Sequence, residues 1–144
     1  MRAPATSRTL LWLLAVVQAF IGVWAVAAPR SFFDTFPGLG HTWTARLPPY
    51  NEHLVRDVGA LSLSLTALTV AAALTLERRM VVVTALAWLL YSIPHLAFHI
   101  AHLEGFSTGD RIGQLVSLSL GVVLPLALLA LARGGRRRAP PGLG

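Results

Sequence analysis

The sequence predicts an all-α, polytopic membrane protein: a bundle of four transmembrane helices running up-down-up-down. Three observations carry this. Hydrophobic residues make up 55% of the chain and charged residues only 12%, against about a quarter charged in a soluble domain. The mean hydropathy is +0.65. Four apolar runs each reach the ~20 helical residues that a hydrocarbon core of about 30 Å requires. No alternating pattern of strand type competes with them, and a helix satisfies its own backbone in lipid.

The first span covers residues 10–28. Arg2 and Arg8 precede it and Ala25-Val26-Ala27 closes it, a pattern shared with secretory signal peptides. Its apolar core exceeds the usual 7–15 residues and Pro29 crowds any cleavage point, so an uncleaved helix is expected. Residues 29–50 then form the longest connection. Here Phe32, Phe33, Phe36, Trp43 and Tyr50 are interleaved with Pro37, Gly38, Gly40, Pro48 and Pro49. Rings punctuated by Pro and Gly suit the headgroup layer, either as an aromatic belt or as a lid over the bundle. A short interfacial helix near Ser31–Phe36, capped by Ser31, is expected.

The second span covers residues 54–76, with its uninterrupted apolar part from Val58 to Leu76. The third covers 80–102 and the fourth 112–132, so residues 1–132 form one transmembrane domain. Residues 133–144 are rich in Arg, Gly and Pro and read as a disordered cytoplasmic tail near anionic lipid. Small or polar residues recur at helical spacing within the spans: Ala15, Gln18, Gly22 and Ala25; Gly59, Ser62, Thr66, Thr69 and Ala73; Gln114, Ser117, Gly121 and Pro125. Such stripes let neighbouring helices approach closely.

Arginine placement sets the expected orientation. With four spans, eight arginines (Arg2, Arg8, Arg78, Arg79, Arg133, Arg136, Arg137, Arg138) share one side, and four (Arg30, Arg46, Arg56, Arg111) the other. That bias puts both termini in the cytoplasm of a cell whose inner membrane holds the chain. The net charge of +6 is thereby tied to membrane sides, and nucleic acid is not an expected partner. There is no cysteine, which excludes disulfides, thiolate metal sites and thiol catalysis.

The chemistry concentrates at one end. Three of the five histidines close the third span: His95, His99 and His102. At about 100° per residue, His99 lies about 40° from His95, and His102 about 20° the other way, so all three are expected to share one face of one helix. Imidazoles at this depth are costly and point to function. Pro94 predicts a kink just before them. Glu52, His53, Arg56 and Asp57 open the second span on the same side, and Asp110 and Arg111 open the fourth. His53 and Asp57 are thus the expected opposite wall. One candidate occupant is a metal ion, held by His95, His99 and His102 with Glu52 and Asp57. Haem between histidines of two helices, drawn from His53, His95 and His99, is a second. A proton path along the same groups is a third. Arg56, Glu104, Asp110 and Arg111 are expected to form a polar network around the site.

Enzyme signatures are missing: there is no His-Glu-x-x-His, Gly-x-Ser-x-Gly, P-loop or dinucleotide fingerprint. Five histidines are too few for the histidine boxes of di-iron membrane enzymes, so catalysis by the isolated chain is not the leading expectation. The stretches Pro29-Arg30-Ser31-Phe32-Phe33 and Glu52-His53-Leu54-Val55-Arg56-Asp57-Val58-Gly59-Ala60, with the histidine-bearing end of the third helix, resemble small bacterial four-helix membrane proteins of the DoxX-like kind. The resemblance spans most of residues 8–132 and implies an envelope role beside redox systems. The expected function is accordingly a small envelope protein with a His/carboxylate site, supporting a redox or transport partner. The alternative is a structural or accessory subunit whose polar rim serves packing and docking.

Overall fold

The computed structural model describes residues 3–47 and 49–134. Helix α1 spans Ala3–Ala27, α2 Pro29–Thr35, α3 Glu52–Thr75, α4 Arg78–Ala101 and α5 Thr108–Gly134, with two-residue strands β1 (Pro37–Gly38) and β2 (His41–Thr42) between α2 and α3. Helices α1, α3, α4 and α5 are each long and apolar enough to cross a membrane. The protein is therefore an all-α four-helix bundle of the multi-pass membrane type. Its proximal end carries Ala3, Gly134 and the α3–α4 turn, and its distal end carries the α1–α3 and α4–α5 connections. The fourth helix continues through Arg133 and Gly134, which composition assigned to the tail, and residues 135–144 lie outside the described part.

Two close pairs build the bundle, α1 with α3 and α4 with α5, and the small-residue stripes mark the crossings. Ala15, Gln18, Ala25, Ser62, Thr69, Ala73 and Gln114 are all buried. Gly59 meets α1 so closely that a Cβ there would lie 2.9 Å from the Val26 backbone nitrogen. In the other pair, a Cβ on Gly121 would lie 3.0 Å from Ser92 Oγ. Without water to expel between spans, such close van der Waals contact holds the helices together.

The interior is divided along its length. Leu11, Leu14, Ala72, Ala73, Val81, Ala85, Trp88 and Leu128 form one apolar cluster, and all sit in the proximal half. Above it buried polar residues join the interior, Gln18, Ser62, Ser92 and Gln114, alongside the apolar Ala25, Phe32 and Phe106. The boundary is a hydrogen bond, Trp88 Nε1 donating to Thr69 Oγ1 at 2.9 Å. Thr69 passes its own hydroxyl proton to Leu65 O at 2.7 Å.

Helix ends are closed by side chains that reach across. Asn51 caps α3, its side chain accepting from Leu54 N at 3.2 Å. Arg56 donates to Val26 O in the last turn of α1, and Arg78 Nε donates to Ala132 O near the end of α5 at 3.0 Å. Cations at these C-terminal carbonyls also complement the helix dipole. The interfacial helix forms, but Ser31 is not its cap: α2 starts on Pro29 with Ala28 at the N-cap and no side-chain cap bond. Proline at the first helical position needs no partner for a missing N–H. Ser31 Oγ instead accepts from Trp24 Nε1 at 3.3 Å. Pro94, where a kink is expected, lies inside α4, which continues to Ala101; Pro94 and Leu90, the residue four before it, are both exposed.

Replacing Gly59 by alanine is expected to lower stability by about 1–3 kcal/mol, the usual cost of overpacking. Gly109→Ala, whose Cβ would meet only Ser107 Oγ at 3.9 Å, should leave the thermal midpoint in detergent unchanged. Equal melting of the two variants would contradict the α1–α3 crossing.

Candidate functional site

The distal half holds two polar systems, one inside the bundle and one on its surface. The internal system climbs α4. Trp88 and Tyr91 meet edge-on with centroids 6.4 Å apart, and Tyr91 lies 5.2 Å from His95. His95 then stacks on His99 at 4.9 Å and an interplanar angle of 20°. These residues recur three and four apart, so one helical stripe carries them all. His99 Nδ1 lies 2.8 Å from Gln114 Oε1 on α5. Gln114 is fully buried, and its Nε2 has no partner among the described residues. An amide bonded on one side only can present either its oxygen or its nitrogen. It therefore suits a ring nitrogen with or without a proton.

Gln114 connects this stripe to the surface system, because Asp110 stands one turn before it on α5. Asp110 Oδ1 accepts from Trp43 Nε1 at 2.8 Å and lies 2.6 Å from His41 Nδ1. Asp110 Oδ2 accepts from Ser107 Oγ at 2.7 Å, while Ser107 Oγ accepts from Asp110 N at 3.1 Å. Ser107 thus caps α5 through the Asp110 N–H, and its hydroxyl returns a bond to the Asp110 carboxylate. His41 and Trp43 reach it because the connection folds back as a hairpin. Pro37 pairs with Thr42 and Gly38 with His41, and the turn residues Leu39 and Gly40 both have positive φ, 56° and 85°. Two positive φ values in a two-residue turn match the twist of paired strands. Gly113 makes room for the arriving ring, since a Cβ there would lie 3.1 Å from Trp43. The connecting aromatics are thus more than a belt: Phe32 is buried and packs on Trp24 and Phe36, under the hairpin that ties α1 and α2 to α5.

The expected metal constellation is not assembled. Among the described residues no group of three or more His, Asp or Glu side chains could hold a metal ion. His95 and His99 do meet, but His102 does not join them. It is the C-cap of α4, with φ −126° and ψ 40°, so helical spacing no longer sets its direction. Its ring stacks on Phe98 at 4.0 Å and its Nδ1 donates to Phe98 O at 2.7 Å. The expected opposite wall points away. The His53 side chain is 82% exposed and pairs with Asp57 at 3.3 Å, and Glu52 pairs with Arg56 at 2.9 Å. No hydrogen bond or ion pair among the described residues links Glu52, His53 or Asp57 to His95, His99 or His102. A haem held between His53 and either His95 or His99 has no support in this placement.

The expected polar network is also divided. Asp110 belongs to the hairpin clamp, Arg111 Nε donates to Phe106 O at 2.9 Å, and Glu104 has neither an ion pair nor a hydrogen bond among the described residues. Outside the spans, partial burial and the Glu52 carboxylate push the Tyr50 phenol above its ordinary value, with Arg30 lying 4.9 Å over its ring.

No family model, curated protein or solved structure matches the chain. Function must be argued from this geometry. Composition and spacing missed His41, Trp43, Ser107 and Tyr91. The Ser107-x-x-Asp110 spacing was a readable sign of the cap, but nothing local to His41 pointed to a partner 69 residues away.

Asp110→Ala removes the acceptor of His41, Trp43 and Ser107 together. Amide exchange in residues 37–43 is expected to accelerate by at least about tenfold, with α3 unchanged. Mass spectrometry of deuterium uptake reads this directly.

Proposed function

We propose that the chain is a small multi-pass protein of a bacterial inner membrane, of the DoxX-like kind, with both termini cytoplasmic. Its internal histidine pair would take up and pass a proton in support of a redox or transport partner. The observation that carries this reading is the His95–His99 stack ending on the half-satisfied amide of Gln114. Two stacked imidazoles at this depth accommodate one added proton more readily than two, because like charges in low dielectric repel strongly. A proton arriving at one ring can then be handed on by exchange of tautomers, with a flip of the Gln114 amide completing the step. The distal placement of the pair supports exchange with the periplasmic side. The apolar cluster from Leu11 to Leu128 supports closure towards the cytoplasm. A metal or haem role is the weaker branch, because only two imidazoles converge.

The alternative, an accessory subunit whose polar residues serve only packing, makes a different prediction. With ¹⁵N-histidine labelling, the proton-handling reading expects the His95 and His99 rings to interconvert between tautomers. Gln114→Leu should shift the tautomer of His99. Rings held in single fixed tautomers, in a folded protein, would favour the packing role.

Orientation can be tested separately, since the native chain has no cysteine. Ala45→Cys should react with an impermeant maleimide in intact spheroplasts, and Arg79→Cys only after permeabilisation. The reverse pattern would overturn the cytoplasmic placement of the termini.

A further inference from the structure

Where α4 ends, the chain leaves an open cleft of about 220 Å³ lined by Arg46, Leu47, Ala101, His102, Glu104 and Phe106. It lies at the last residue of a span, and its walls carry charges of both signs. Arg46 is held in place from two directions. It donates from Nη1 to Gly105 O at 2.8 Å, and its guanidinium carbon lies 5.7 Å from the centroid of the buried Phe106 ring. A guanidinium has five N–H donors, so this anchoring leaves others for a ligand. The His102 ring is pinned on Phe98 with Nδ1 bonded to Phe98 O, which leaves Nε2 as its remaining polar atom. Glu104 shares the cleft with Arg46, yet no ion pair joins them, and Glu104 has no other hydrogen-bonding or charged partner among the described residues.

A fixed cation and an unpaired carboxylate beside apolar surface, at the edge of the hydrocarbon layer, complement a zwitterion that carries an acyl tail. We propose that this cleft seats the headgroup of an aminophospholipid. The phosphate lies on Arg46, the primary ammonium on Glu104, and the acyl chains follow the exposed Phe98 and Ala101 surface of α4. Each part of the headgroup is selected by its chemistry. Guanidinium donors suit phosphate oxygens. A carboxylate accepts hydrogen bonds from a primary ammonium, whereas the trimethylated nitrogen of choline has no N–H to give. A glycerol headgroup brings no cation, and its phosphate charge would stand unrelieved beside Glu104.

The test uses the full chain in detergent, offered equal amounts of phosphatidylethanolamine, phosphatidylcholine and phosphatidylglycerol, with lipid retention read by native mass spectrometry. The wild type is expected to retain phosphatidylethanolamine over the other two by about fivefold or more. Glu104→Gln should reduce it to the phosphatidylcholine level, and Arg46→Gln should weaken all three. Because Arg46 also holds Gly105, Arg46→Lys is measured beside it and should restore part of the retention. Equal retention of the three lipids by the wild type would overturn the proposal, as would an undiminished preference in Glu104→Gln. Displacement of the lipid by millimolar O-phosphoethanolamine would mean that the cleft reads a soluble ligand, and would overturn the lipid assignment.

Discussion

A bilayer core offers no water to a polar group, so each donor and acceptor inside this bundle needs a partner within the protein. Much of the architecture follows from that requirement. Hydroxyls on α3 turn back to the carbonyl four residues earlier, as Ser64, Thr66 and Thr69 do. Trp88 has its indole N–H met by Thr69 from the neighbouring helix. At the rims the same need is met by arginine: Arg46, Arg56, Arg78 and Arg111 each donate to a backbone carbonyl near the end of a helix or in its connection. Long side chains of this kind keep a charged head at the interface while the stem lies along apolar surface. The arginines therefore contribute to holding the bundle closed.

The two halves of the bundle meet the requirement differently. The proximal half largely avoids it, by filling its interior with Leu, Ala and Val around Trp88, and its buried Thr69 and Thr84 hydroxyls bond to backbone carbonyls of α3. The distal half incurs it and leaves it partly unmet, since Gln18 Nε2, Ser62 Oγ and Gln114 Nε2 are buried without partners among the described residues. Such atoms are costly in lipid, and packing alone does not call for them. Rigidity is placed beside them: the hairpin brings His41 and Trp43 onto Asp110, so the clamp that ties the first connection to α5 stands one turn from Gln114, where the histidine stripe ends.

The fold was legible in the sequence because hydropathy and helix length are properties of each segment by itself. The four spans and the glycine crossings follow from that local information, and their observed ends fall within four residues of those expected, except that α1 starts seven residues early, at Ala3. The site was legible only where one helix carried all of it. His95 and His99 meet because four residues make a turn, and His53 finds Asp57 for the same reason. Periodicity failed at His102, where the helix had already ended. It also could not tell that the His53 pair faces outward, because which face a helix buries depends on its neighbour. The Asp110 clamp needed a hairpin whose shape rests on backbone conformations at Leu39 and Gly40, and neither composition nor spacing encodes where such a hairpin lands.

The apolar plug between Leu11 and Leu128 has an electrical consequence. Low-dielectric material poor in polar side chains takes most of the potential drop across a membrane, while a polarisable interior takes less. A charge arriving on the His95–His99 pair from the distal surface would therefore cross only a small share of the field, whose full span is equivalent to about 2.3 kcal/mol per elementary charge at 100 mV. Protonation of the pair should be nearly insensitive to voltage. Only a rearrangement of the plug itself would couple the bundle to the membrane potential.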